Sequence, residues 1–208
     1  MKNILIHGLG QNGKDWDTIK NELETRGISS VAPDLFDLAK GRKLDYPTVY
    51  QAFSELCESY QDKLNLCGRS LGGLLALNYA IQYPKKINSL VLIGTPFEIP
   101  KGLLKFQNIV FRFMPKAVFQ NMGVSKKDFI RLSKSMVDLN FMDSATALDC
   151  PALILCGAKD KTNMESAKRF HEAMKNSKLV IVEASGHEVN KDNPNELVRV
   201  LQDFWADR

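Results

Sequence analysis

Short apolar runs alternate along the chain with longer stretches of helical periodicity. Ile4–Ile6 is the first run. A Gly-rich turn follows it, then a helical stretch from Asp15 to Arg26 that stops at Gly27. Ser29–Ala32 is the next strand-like run, closed by Pro33 and Asp34. Val49, Phe53, Leu56 and Tyr60 then recur at spacings of three or four, which predicts a helix over 48–60. Leu64–Cys67 predicts a strand, and Leu71–Tyr83 a helix stopped by Pro84. Ser89–Ile93, Ala152–Cys156 and Leu179–Val182 complete the strands. Helices are expected over Glu165–Met174 and Asn195–Trp205. About six strands separated by helices, several of them apolar on both faces, imply a mostly parallel sheet covered on both sides. Right-handed crossovers then give a doubly wound α/β domain.

The alternation breaks between Thr95 and Cys150. No clean strand falls there. Leu103–Met114 and Lys126–Leu139 are helical in pattern, punctuated by Pro115 and Gly123. Residues 97–147 therefore read as a small helical cap. It is inserted in one domain of residues 1–208, because the last strands and helices must return to the same sheet.

Composition adds bounds. With 208 residues, 44% of them hydrophobic, one sizeable core is expected, and 25% charged residues exclude a disordered chain. The net charge of +4 is too weak to argue for nucleic acid. The four cysteines (57, 67, 150 and 156) form no CxxC pair, and a reducing compartment fits them better than a disulfide framework. The N-terminal stretch lacks the apolar core of a signal peptide, and no run approaches a membrane span. A cytoplasmic protein without an integral membrane segment is the expectation. Nothing in the pattern specifies an oligomeric state.

The chemistry concentrates in Gly68-Arg69-Ser70-Leu71-Gly72-Gly73. This Gly-x-Ser-x-Gly run follows a strand and opens a helix, the context in which a sharp turn lifts a serine hydroxyl over the strand ends. Glycines at 68 and 72 let strand and helix approach. A serine nucleophile needs a base, usually histidine, and the chain has three. His7 precedes the first Gly-rich turn and reads as a turn residue. His171 lies on a predicted helix surface. His187 falls just beyond the last strand.

With these motifs the chain resembles the α/β-hydrolase superfamily over its whole length except the cap. It is short for that superfamily and begins at what would be the third strand. On that resemblance the family's first two strands are expected to be missing, which would expose an edge near Ser29–Ala32 unless Pro33 or a partner covers it. The resemblance implies that Ser70 is the nucleophile, that His187 is the base, and that an acid follows the preceding strand. Asp160 occupies that position, with Glu98 as rival and Asp34 and Asp143 as weaker candidates. His7-Gly8-Leu9-Gly10 looks like the family's oxyanion loop, so the backbone N–H groups of Leu9 and Leu71 would hold the oxyanion. Gln11 and Asn12 flank that loop, where turn formation by Asn12-Gly13 is the simpler account. Arg69 is expected near the site entrance, without an assigned role.

The implied activity is serine-hydrolase cleavage of a carboxylic ester, carboxylesterase-like, on a small-molecule acyl substrate and with neither metal nor organic cofactor required. Thioesterase, lactonase, carbon–carbon hydrolase and acyltransferase chemistry share the same triad. A non-catalytic ligand-binding module is the competing class. Seven of the 11 Phe fall between residues 97 and 141, together with eight basic and three acidic residues. Phe97, Phe106 and Phe111 are the candidate lining of an apolar acyl pocket. Packing of the cap onto the domain explains the same pattern.

Overall fold

The computed structural model describes residues 1–96, 111, 114–121 and 123–206. Six strands form one parallel sheet: β1 Lys2–Ile6, β2 Ser30–Val31, β3 Leu64–Arg69, β4 Ile87–Ile93, β5 Ala152–Gly157 and β6 Ser177–Val182. Their order is β2-β1-β3-β4-β5-β6, and every neighbouring pair is parallel. After β1 the chain steps outward to β2, then returns across β1 to build β3 to β6 on the other side. The order reverses between β1 and β3. In an open α/β sheet the crevice at the carboxyl ends of the strands flanking such a reversal is where ligands bind.

Helices cover both faces. They are α1 Asp17–Thr25, α2 Leu35–Leu38, α3 Tyr46–Ser59, α4 Leu71–Gln82, α5 Lys116–Asn121, α6 Lys126–Ser135, α7 Met142–Ala145, α8 Lys161–Ala173, α9 Val189–Asp192 and α10 Pro194–Ala206. Strand alternation sorts the core into two layers. Ile4, Ile6, Leu66, Leu90, Leu92 and Ile154 pack with residues of α3, α4 and α8. Leu5, Cys67, Val91, Leu153 and Leu155 face the opposite way and pack with α1 and α10. The predicted strands, and the long helices predicted within the described residues, are present, with ends shifted by a few residues. The four-residue α2 was not anticipated, since four residues carry no period. It exists because Asp34 accepts from the Phe36 and Asp37 amides and caps it.

Phe119, Phe129 and Leu132 from α5 and α6 join the first core layer. The predicted helix over 126–139 ends at Ser135. The predicted helix over 103–114 lies largely outside the described residues. No helix among the described residues is long and apolar enough to cross a membrane.

Candidate active site

Ser70 stands between the last residue of β3 and the first of α4, at φ 52° and ψ −112°. A non-glycine residue at such angles costs roughly 1–3 kcal/mol and persists only where its surroundings hold it. Here the Ser70 amide donates to Ile93 O at 2.9 Å, and its carbonyl accepts from Leu74 N at 3.0 Å. The turn closes only without side chains beside it. A Cβ on Gly68 would meet the Gly72 backbone, and one on Gly72 would meet the Ile6 carbonyl. The peptide N–H of Leu71 opens α4, in the first turn that a helix leaves without internal acceptors.

The loop after β1 lies next to this turn. Gln11 N donates to Gly8 O at 3.1 Å, and Gly10 has φ 87°. A positive φ at the third position of a four-residue turn is the type II geometry, with Leu9 at the second. His7 anchors the loop from below. It is fully buried; Leu35 N donates to its Nε2 at 2.9 Å, which makes that nitrogen the acceptor. Nδ1 therefore carries the proton and donates to Gly8 O at 3.0 Å. Burial pulls the imidazole's pKa below its ordinary value, against a smaller opposing pull from the Gly8 bond and from Asp34 and Asp15. His7 is thus a neutral turn residue.

Asp160 follows β5 and caps α8, and His187 follows β6. His187 Nδ1 lies 2.7 Å from Asp160 Oδ2. Asn163 donates from Nδ2 to Oδ1 and Oδ2 of Asp160 at 3.0 and 2.9 Å, and from its backbone N to Oδ1 at 3.3 Å. With the carboxylate as the nearer acceptor, Nδ1–H points at Asp160 and Nε2 keeps its lone pair. Burial alone would raise the Asp160 carboxyl. The His187 and Asn163 hydrogen bonds outweigh it and hold the group below the usual carboxylate range. Asn163 is not among the residues that the sequence singles out. Its signal was its spacing, three residues beyond a capping Asp at the start of a helix.

Other predicted positions divide. Arg69 is not at the entrance: it is 2% exposed, because as the last residue of β3 it shares the face of Cys67 and is covered by the loops after β1 and β6. Gln11 is buried too. Its Oε1 accepts from Gly8 N at 3.5 Å and its Nε2 donates to Glu188 at 3.1 Å. Asn12 caps a 3-10 turn at Gly13–Trp16. His171 bonds Ser177 Oγ at the surface, 2.9 Å away. Phe111 packs edge-on against Phe129, with ring centroids 5.0 Å apart. Phe97, Glu98 and Phe106 lie outside the described residues. Among the described residues no group of three or more His, Cys, Asp or Glu is placed to hold a metal ion.

The profile of the alpha/beta hydrolase fold family matches residues 4–139. The chain is 26% identical to Lipase 3 of Moraxella sp. (strain TA144), over 93% of this chain and 75% of that protein. It is 24% identical to 2-hydroxy-6-oxo-2,4-heptadienoate hydrolase of Pseudomonas putida, over 98% and 88%. An esterase from Exiguobacterium antarcticum superposes with a TM-score of 0.85 at 20% identity, over 98% of this chain and 91% of that one. The parallel sheet, the strained serine after β3 and the matched profile agree: the chain belongs to the alpha/beta hydrolase fold family.

Proposed function

We propose that the protein is a serine hydrolase that cleaves carboxylic esters through an acyl-enzyme on Ser70. The observation that carries this reading is the His187–Asp160 hydrogen bond, 2.7 Å long, formed at the same end of the sheet as Ser70. Ser70 Oγ attacks the acyl carbonyl as His187 Nε2 takes its proton. Asp160 holds the imidazole in the required tautomer and stabilises the imidazolium that forms. The N–H groups of Leu9 and Leu71 donate to the oxyanion, with the α4 dipole adding to the second. His187 then protonates the departing alkoxide. Water, deprotonated by the same imidazole, releases the acid and restores Ser70.

The esterase and lipase relatives support an ester substrate, and the Phe-rich segment, including Phe97, Phe106 and Phe111, supports an apolar acyl group. The Pseudomonas putida relative favours a second reading, carbon–carbon bond hydrolysis by the same three residues.

The test is turnover of p-nitrophenyl esters of increasing acyl length by the purified protein and by Ser70→Ala. Turnover in the first, with loss in the second of about 10³-fold or more, is expected. Turnover retained in Ser70→Ala overturns the nucleophile assignment. Labelling of Ser70 by a fluorophosphonate without ester turnover moves the substrate to the second reading.

A further inference from the structure

We propose that Arg69 is a positioning residue. It locks the His187 loop against the turn of residues 8–11, so that proton acceptor and oxyanion donors hold one fixed mutual geometry. The inference rests on the serine-hydrolase reading above.

Arginine is among the residues least often buried unless paired. Arg69 lies beneath two loops that are far apart in sequence. Its Nη1 donates to the carbonyl of His187 itself, 3.4 Å away. Its Nη2 lies 3.6 Å from Glu188 Oε1. On the other side the guanidinium fills the space above Gly8, where a Cβ would sit 2.5 Å from Nη2. The same Glu188 oxygen accepts from Gln11 Nε2 at 3.1 Å, and Gln11 Oε1 accepts from Gly8 N at 3.5 Å. The path from the turn through Gln11 and Glu188 to Arg69 therefore closes back on the turn.

A second set of bonds braces the same loops. Gln11 Nε2 also donates to Asn190 Oδ1 at 3.3 Å, and Asn190 Nδ2 donates to Asp15 O at 3.0 Å. Lys191 reaches Asp15 at 2.8 Å. The hydrogen bonds of Gln11 and Asn190 across the two loops span 175 to 179 positions of chain. Burial pulls the guanidinium's pKa below its ordinary value, and Glu188, Asp15, Asp160 and Asp192 counter that pull. A buried cation with weakly paired nitrogens is a poor device for stability alone, because its desolvation is costly. Its position fits a geometric role, since it touches the backbone of the base and the backbone of the oxyanion loop at once.

The test compares Arg69→Met, Arg69→Lys and Glu188→Gln with the parent protein. Rates on p-nitrophenyl butyrate are expressed per site titrated by a fluorophosphonate, and the phosphonylation rate is read in parallel. Arg69→Met should lower kcat about 10²-fold with KM held within about threefold, the size expected of a misplacement near 1 Å. Phosphonylation should slow in step. Arg69→Lys should recover about tenfold of the loss by keeping the charge without the fork. Glu188→Gln, at a half-exposed position outside the apolar core, should lower kcat about fivefold.

A kcat per titrated site within about threefold of the parent in Arg69→Met overturns the proposal. So does a loss confined to KM. If Arg69→Met does not fold, an unchanged kcat in Glu188→Gln overturns it. A parent protein that a fluorophosphonate does not label sinks the serine reading and this one with it. A labelled parent with unaffected variants sinks this one alone.

Discussion

Asp160 is pulled in opposite directions, by burial toward the neutral acid and by His187 and Asn163 toward the carboxylate, and the hydrogen bonds win. The group therefore stays ionised, as the proposed triad requires of the partner of the imidazole. Asp160→Asn keeps the shape but presents an amide to Nδ1, which favours the wrong imidazole tautomer. It is expected to lower kcat by about 10³–10⁴-fold with little change in KM, read by ester turnover per titrated site. Gly94 offers a steric counterpart. It has φ 51°, and a Cβ there would lie 3.0 Å from His187 Nδ1 and 3.2 Å from Asp160 Oδ2. Gly94→Ala is expected to cost about 1–2 kcal/mol of stability from the left-handed backbone alone. It should also depress kcat by crowding the pair. Urea unfolding and per-site turnover separate the two effects.

At the scale of elements, the amino-terminal end of the sheet carries a polar ladder that the apolar runs concealed. Asn65 on β3 donates to Asn3 Oδ1 on β1 at 2.8 Å, and its Oδ1 accepts from Ser89 Oγ on β4 at 2.7 Å. Asn3, Asn65 and Ser89 are register partners, so the ladder runs straight across three strands. Shifting any strand by one residue would leave buried polar groups facing apolar ones. Asn65→Ala removes the acceptor of the fully buried Ser89 hydroxyl. It is expected to lower the unfolding free energy by about 2 kcal/mol in urea titration, leaving ester turnover unchanged. The strands were legible because continuous apolar runs of this length need cover on both faces. Their ends were less legible. Glycine and arginine at the end of β3 read as loop, yet Arg69 still pairs in register with Ile93.

For the whole molecule, His7 ties stability to pH. Its imidazole is held neutral in the fold, with a pKa below the ordinary value of 6.5 that it regains on unfolding. As pH falls below 6.5 the unfolded chain takes up a proton at this site and the folded chain does not, so stability declines through that window. Above it the contribution is fully present. The unfolding free energy should therefore drop as pH falls below about 6.5, and the drop should be smaller in His7→Gln. An equal drop in both proteins would assign the effect to another group.

The reach of the sequence follows from which interactions are local. Strand and helix periods, the Gly-x-Ser-x-Gly turn and the loop positions of Asp160 and His187 are set by near neighbours, and these could be read along the chain. Contacts between distant segments left no such trace. The serine, the His187–Asp160 pair and the loop after β1 share one end of the sheet because every neighbouring pair of strands is parallel, and the β1 loop meets the serine turn because β1 and β3 are neighbours. Arg69 read as a residue of the site entrance, since nothing nearby in sequence covers it. Two loops almost the whole chain apart fold over it, and their carbonyl, carboxylate and side-chain-free glycine turn an exposed charge into a buried one. Burial and charge pairing are sums over spatial neighbours, and for Arg69 those neighbours were decided by the tertiary structure alone.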